Sequence, residues 1–362
     1  MAYNRQVEEE ELQLMRYAEY EDRFLNEVKD TFDLKITFRN SDLDFDPAYM
    51  TTAKKDVILR KLEDPDYAEA WRINYSRVFY NDLKTRLLNN SNFFFRFYGD
   101  PNSGKSFASL YIAYLTTLLG FKYVNLFSIS NAELVMAQNA YNLSKGKGGT
   151  LKKILLNVDE TQQKWGVGSK ASTTYFQQLT EFMRAFQICI TIVNPNDTSN
   201  ADIQLETIGY TEPNDEGIRY TKSILHYLID KRLSIYKPIG YILTKTPPKN
   251  FIDAYLVQKE EFLKNFSTIR NPNYERDDTL CEMVWNDMPQ ERKELLRQAL
   301  LLNKENYVQS ILRKEFSVFN LPTAEIKELM EAFKLKYFEK EIKAGWERKL
   351  AQIENKLAKA KV

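Results

Sequence analysis

Phe93-Phe94-Phe95-Arg96-Phe97-Tyr98-Gly99-Asp100-Pro101-Asn102-Ser103-Gly104-Lys105-Ser106-Phe107 decides how the rest of this chain is read. The aromatic run predicts a buried strand. The eight residues from Gly99 to Ser106 have the spacing G-x-x-x-x-G-K-S, and Phe107 to Leu119, closed by Gly120, predicts a helix. Strand, glycine loop and helix in this order aim backbone N–H groups at a helix N-terminus, where the dipole favours negative charge. The spacing suits a polyphosphate: the glycines let the backbone approach, a lysine reaches the outer phosphates and a serine hydroxyl faces Mg²⁺. Candidate nucleotide-binding residues are Gly99, Asp100, Pro101, Asn102, Ser103, Gly104, Lys105, Ser106 and Phe107.

Downstream, apolar strands alternate with helices, the pattern of an α/β domain with a mainly parallel sheet. A strand at Tyr123 to Phe127 precedes a helix at Asn131 to Leu143 and a basic loop, Lys145-Gly146-Lys147-Gly148-Gly149. The strand Ile154-Leu155-Leu156-Asn157-Val158 then ends in Asp159-Glu160. Beside a phosphate loop such a pair divides labour: Asp159 holds Mg²⁺ through water and Glu160 polarises the attacking water. A loop at Trp165 to Ser169, a helix at Thr173 to Phe186 and a strand at Ile188 to Val193 follow, the strand ending in Asn194-Pro195-Asn196-Asp197.

Outside this core the chain reads as helical. Region 1–90 holds helices at Gln6 to Lys29, Thr52 to Leu62 and Tyr67 to Leu88, with a loop between the first two and a short strand at Leu34 to Phe38. Region 91–268 is the core; its later part has a helix passing into a strand over Ser223 to Pro238, a strand at Tyr241 to Leu243 and a helix at Asp253 to Phe266. Region 269–362 opens with an Asn/Pro/Asp-rich linker at Arg270 to Asp278. Helices follow at Glu291 to Leu302, Glu305 to Phe316 and Thr323 to Trp346 or beyond. These three have the lengths of a helix-turn-helix unit or a lid, with Lys327, Lys334 and Lys336 on the candidate reading helix beside Glu325, Glu328 and Glu331. The loop at Lys145, continued by Lys152-Lys153, is either a grip for nucleic-acid phosphates or a solvated turn. Ile342, Trp346, Leu350, Ile353 and Leu357 form an apolar stripe on the last helix, facing its own domain or another subunit.

The 362 residues carry 51 Lys plus Arg against 50 Asp plus Glu, a net charge of +1, so any contact with nucleic acid must come from local patches. Cys189 and Cys281 read as buried free thiols of an intracellular, cytoplasmic protein. With one histidine, His226, read as a packed or half-exposed helix position, a zinc constellation cannot be assembled. The acidic N-terminus does not resemble a secretory signal, and no run approaches a membrane span.

The segments G-D-P-N-S-G-K-S, I-L-L-N-V-D-E and I-T-I-V-N resemble those of the P-loop ATPases with an additional catalytic Glu. That class includes AAA+ proteins, HerA/FtsK-type DNA translocases and viral packaging motors. The resemblance covers Phe93 to Asn196. It implies a Mg²⁺-dependent ATPase with a P-loop NTPase core of mainly parallel sheet, working as a homo-oligomer, often a hexameric ring. It also implies catalytic roles for Lys105 and Glu160, and metal-binding roles for Ser106 and Asp159. Asn194, with Asn196 as alternate, stands where such enzymes carry a γ-phosphate sensor, though the same residues also read as a turn. An arginine from a neighbouring subunit completes such sites, and Arg184, Arg219 and Arg232 are the candidates. HerA/FtsK-like motors usually end the sensor strand in Gln, where this chain has Asn194; AAA+ proteins more often carry Asn but need a helical lid. The first functional reading is an ATP-driven DNA motor: a translocase, packaging ATPase or helicase. The alternative is an AAA+-type loader or regulatory switch acting on protein partners through the terminal helical regions.

Overall fold

The computed structural model describes residues 2–35, 51–89, 91–127, 129–146, 153–159, 187–193, 201–230, 233, 235–266, 272–319, 321 and 323–360. In chain order the regular elements are α1 (Ala2–Val28), α2 (Thr52–Lys61), α3 (Pro65–Arg72), α4 (Ser76–Leu88), β1 (Phe94–Tyr98), α5 (Lys105–Leu118), β2 (Lys122–Leu126) and α6 (Ile129–Ser144). Five strands and five helices follow: β3 (Ile154–Asp159), β4 (Ile188–Val193), β5 (Ile203–Tyr210), β6 (Tyr220–Asp230), β7 (Ile235–Lys245), α7 (Lys249–Phe266), α8 (Pro272–Asp287), α9 (Gln290–Leu301), α10 (Glu305–Phe316) and α11 (Thr323–Ala360). They form two compact units, one of residues 1–129 and 151–265, the other of 130–150 and 266–362.

The first unit is α/β. Its seven-stranded sheet runs β2-β3-β4-β1-β5-β6-β7; the first five strands are parallel, and β6 and β7 are antiparallel. β3 and β4 are buried along their whole length, as expected of continuous apolar runs covered on both faces. β1 alternates between two environments. Phe93, Phe95 and Phe97 join the core formed with Phe24 and Val28 of α1, Phe79, Tyr80 and Leu83 of α4, and Tyr111, Ile112 and Leu115 of α5. The opposite face of β5 to β7 presents Ile208, Tyr220, Ile224, Tyr241 and Leu243 to Ile58 of α2 and to Tyr67, Ala70 and Trp71 of α3. Each large side chain buried this way contributes about 1.5–3 kcal/mol. The parallel strands direct their C-terminal ends to one edge, where open α/β sheets bind ligands.

Several sequence expectations change. Ser223 to Pro238 is not a helix leading into a strand: it spans most of β6 and the start of β7. The run Ser223 to Ile229 has neither clean alternation nor helical period, so burial on both faces made it ambiguous. His226 therefore sits on a strand, with Nε2 3.2 Å from Glu206 Oε2. Pro238 is tolerated because β7 is an edge strand and the register shifts between Leu225 and His226. β5 had no counterpart in the sequence reading.

The single helix expected over Tyr67 to Leu88 is broken at Ile73-Asn74-Tyr75, where the backbone pairs with β7. Tyr75 N donates to Tyr241 O at 2.8 Å and Tyr241 N to Ile73 O at 2.9 Å. Asn74 Nδ2 donates to Thr31 O and Leu34 O at 3.0 and 2.9 Å, fastening the end of α1 to the break. Gly240 permits this approach, since a Cβ there would lie 2.9 Å from Ile73 O. Of the short strand expected at Leu34 to Phe38, Leu34 and Lys35 are not in a strand and the rest lies outside the described residues. The same holds for the loop at Trp165 to Ser169, the helix at Thr173 to Phe186, and Lys147 to Lys152.

In the second unit, α6 belongs with α8 to α11. Most of the expected linker at Arg270 to Asp278 is the first half of α8, with Pro272 at its first residue, where a missing N–H costs nothing. Trp285 of α8 stacks on Tyr337 of α11 at 4.3 Å, and Phe316 meets Phe333 edge-on at 5.5 Å. The long α11 changes direction at Phe338 (φ −138°, ψ 23°). Cys189 and Cys281 are buried free thiols, one in each unit; burial pushes both up to about 12.

Candidate functional site

The loop from Gly99 to Ser106 leaves the end of β1 and delivers its last two residues as the first turn of α5. Gly99 adopts φ +136°, and a Cβ there would lie 2.2 Å from Thr207 O of β5. Gly104, at φ +91°, caps α5; a Cβ there would stand 2.9 Å from the Tyr210 ring and 3.0 Å from Thr221. A side chain at Gly99 would collide with the β5 backbone, and one at Gly104 would be held in a left-handed conformation against the Tyr210 and Thr221 side chains. Asn102 also takes a positive φ, 63°, in the tip of the loop. Among the described residues no side chain caps α5, and no acid occupies its first turn, so its leading N–H groups are open to an anion. Inside the loop, Ser103 is fully buried and its Oγ has no hydrogen-bond partner among the described residues.

Lys105 folds over this loop, donating from Nζ to Gly99 O at 3.0 Å and to Asp100 O at 2.5 Å. Burial lowers its pKa, opposed by the charges of Asp100 and Asp159. Ser106 faces Asp159 at the end of β3: Oγ donates across 3.2 and 3.3 Å to the two carboxylate oxygens. The structure thus brings Ser106 and Asp159, 53 residues apart, into direct contact. The strand between β1 and β3 is β4, whose last residue, Val193, is in register with Phe97 on one side and Asp159 on the other. Glu160, Arg184, Asn194, Asn196 and Arg232 lie outside the described residues. Arg219 is half-buried, two residues before the Thr221 that meets Gly104. Pro101 is exposed and Phe107 half-buried.

Two residues of α7 complete the surroundings of Asp159, and the sequence reading missed both. Tyr255 OH and Lys259 Nζ donate to Asp159 Oδ2, Lys259 at 2.7 Å, and Lys259 also donates to Tyr255 OH at 2.8 Å. Burial and the neighbouring Asp159 charge push the Tyr255 phenol far above its ordinary value, so it remains a donor. α7 is seated by Tyr255 against Leu110 and Phe127, and by Phe251 stacked on Tyr123 at 4.9 Å.

A polar ladder, buried at Ser109, Asn157 and Thr191 and reaching the surface at Gln258, lies one step further down the same strands. Ser109 Oγ and Thr191 Oγ1 donate to Asn157 Oδ1 at 2.5 and 2.8 Å, Asn157 Nδ2 donates to Asn125 Oδ1 at 2.9 Å, and Asn125 Nδ2 donates to Gln258 Oε1 at 3.0 Å. Ser106 and Ser109 are three apart on one helix face, as Asp159 and Asn157 are two apart on one strand face, so the rungs are parallel. The ladder fixes α5, β2, β3, β4 and α7 around the carboxylate. A lone Asn inside the apolar run of β3 was its only signal in the sequence.

On the other flank of the loop, Glu206 of β5 pairs in register with Tyr98. It accepts from Lys61 and, at 3.4 Å, from Tyr98 OH, and it faces His226. Burial alone would raise this carboxyl, but the His226 hydrogen bond and the Lys61 charge hold it down at about 2. Lys54 of α2 is buried beside Asp100, Lys105 and Glu206, and burial lowers its pKa.

These features fit a magnesium polyphosphate. The cradle closes if either glycine gains a Cβ, Ser103 offers an orphaned hydroxyl, and Ser106 with Asp159 supply the hard oxygens that Mg²⁺ takes beside its waters. No protein-family model matches the chain, and no curated protein matches it. Among the described residues, no helix is long and apolar enough to cross a membrane.

Proposed function

We propose that the protein is a Mg²⁺-dependent ATPase, built on a P-loop core, that drives a DNA motor from an oligomeric ring inside the cell. The observation that carries the reading is the contact of Ser106, at the end of the glycine-pinned loop, with the buried carboxylate of Asp159. Lys105 exchanges the carbonyls of Gly99 and Asp100 for the outer phosphate oxygens, and the loop N–H groups hold the inner ones. Ser106 and Asp159 hold the metal, which neutralises charge on the phosphates when bound. Glu160, the residue after Asp159, takes the proton of the attacking water. Asn194 follows Val193, the residue in register with both Phe97 and Asp159, and is assigned to the terminal phosphate. The transfer needs positioning and charge stabilisation, and no covalent intermediate. Arg184, Arg219 and Arg232 are the candidates for an arginine donated across a ring.

The test is phosphate release with and without single- or double-stranded DNA, run beside Glu160→Gln. The motor reading expects stimulation by DNA and a loss of about 10²–10⁴-fold in the variant, the range of a removed general base. A rate indifferent to DNA refutes the motor and leaves an ATP-dependent loader or switch acting on protein partners.

A further inference from the structure

Of the three lysines that the sequence placed on a candidate reading helix, two are already committed. Lys334 is held by Glu305 and Glu331 at 2.6 and 2.7 Å, and Lys336 by Asp278 and Glu282 at 2.5 and 3.0 Å. Lys327 is different. It lines a groove of about 910 Å³ between α10 and the first turns of α11, together with Arg313 and Lys314 of α10. All three are exposed, and among the described residues none has an acidic partner, although most basic side chains around them are paired.

The rest of the groove is hydrogen-bonding surface. Ser310, Ser317 and Thr323 place hydroxyls along it, with Ser310, Arg313 and Lys314 on one face of α10 at helical spacing and Ser317 capping its C-terminal end. Among the described residues its one acidic member, Glu331, shares the ammonium of Lys334 with Glu305, so the lining sets three cations against a single, partly compensated carboxylate and stays net positive. The apolar side chains in it are Ile326 and Met330, both buried, which offers no pocket for the anchor residues of a docked peptide. Guanidinium, ammonium and hydroxyl donors spread over about 10 Å between Ser310 and Ser317, with Lys327 opposite, match a short run of phosphodiesters, which need repeated donors and no apolar anchor.

We propose that the α10/α11 groove binds the sugar-phosphate backbone of a nucleic acid through Arg313, Lys314 and Lys327. This deepens the nucleic-acid half of the proposed function and rests on it. The contact carries no base reading, because it is made to phosphates.

The test uses the full chain and fluorescein-labelled 30-nucleotide single strands and 30-base-pair duplexes, with anisotropy followed across a salt series. R313A/K314A/K327A is compared with K340A/R348A, which removes exposed positive charge from elsewhere on α11. The groove variant is expected to lose at least tenfold in affinity. Its slope of log affinity against log salt should fall by about 2 for single strands and about 3 for duplexes, as three lost phosphate contacts require. The arm that shows the change identifies the form bound. An unchanged slope in the groove variant, an equal loss in K340A/R348A, or binding of polyglutamate as tight as that of nucleic acid overturns the proposal. Basal ATP turnover, measured in the same samples, is expected to be unchanged. Absent turnover in the parent would refute the ATPase reading while leaving the groove result to stand.

Discussion

Replacing Lys259 with Met would remove the ammonium from the most tightly held carboxylate of the candidate site. Asp159 is 6% exposed at its side chain and Lys259 25%, with 2.7 Å between charges. Stripping one partner from a buried pair costs about 3–5 kcal/mol. Here Ser106 and Tyr255 still donate to the carboxylate and Lys259 is partly solvated, which reduces the cost to about 2 kcal/mol. In a unit of this size that is a drop of about 4–8 °C in Tm. If Ser106 and Asp159 hold the metal of a nucleotide complex, Mg²⁺ with ADP restores the missing positive charge. The variant should then gain more Tm from Mg·ADP than the parent does, read by scanning calorimetry in EDTA and in Mg·ADP. A variant as stable as the parent in EDTA would refute the energetic reasoning. A variant that is destabilised but gains no more than the parent would show Lys259 to be a structural partner only.

Gly104→Ala forces a side chain into a left-handed conformation against the Tyr210 ring, and should cost about 2 kcal/mol in urea unfolding and weaken ATP binding together. The Glu206 carboxyl, held at about 2 against an ordinary 4.5, stabilises the fold fully above pH 4.5 and less as pH falls towards 2. Glu206→Gln should therefore flatten stability against pH across that window in acid titrations followed by circular dichroism; an unchanged profile counts against the assignment. Cys189 and Cys281, buried with thiols pushed up to about 12, should react with a thiol reagent only as fast as the protein opens. Prompt labelling at neutral pH would contradict their burial.

The centre of the sheet was legible because β1, β3 and β4 are short apolar runs stopped by a glycine, an acid pair and a proline turn, signals that need no tertiary information. The antiparallel side was not. In β5, Gln204, Glu206 and Thr207 interrupt the apolar pattern, and their burial is explained only by partners on other elements, such as Lys61 and His226. Asn74 ends a helix by bonding to backbone more than 40 residues away. The same distinction divides the site. Gly99, Gly104, Lys105 and Ser106 announce themselves by local spacing, whereas Lys259 lies 100 residues from Asp159 in an ordinary polar helix, and only folding brings them together. On α11, mixed charges read as neutral in sequence separate in space into paired lysines and an unpaired groove.

The proposed function requires that the loop from Gly99 to Ser106 and the Asp159-Glu160 pair act as one ATP-hydrolysing site. Steady-state phosphate release from Mg·ATP, by the parent chain and by Lys105→Ala at equal concentration, tests it most directly. An ATP-hydrolysing site gives turnover in the parent and background rates in the variant. Turnover that survives Lys105→Ala, or none in the parent, would contradict it.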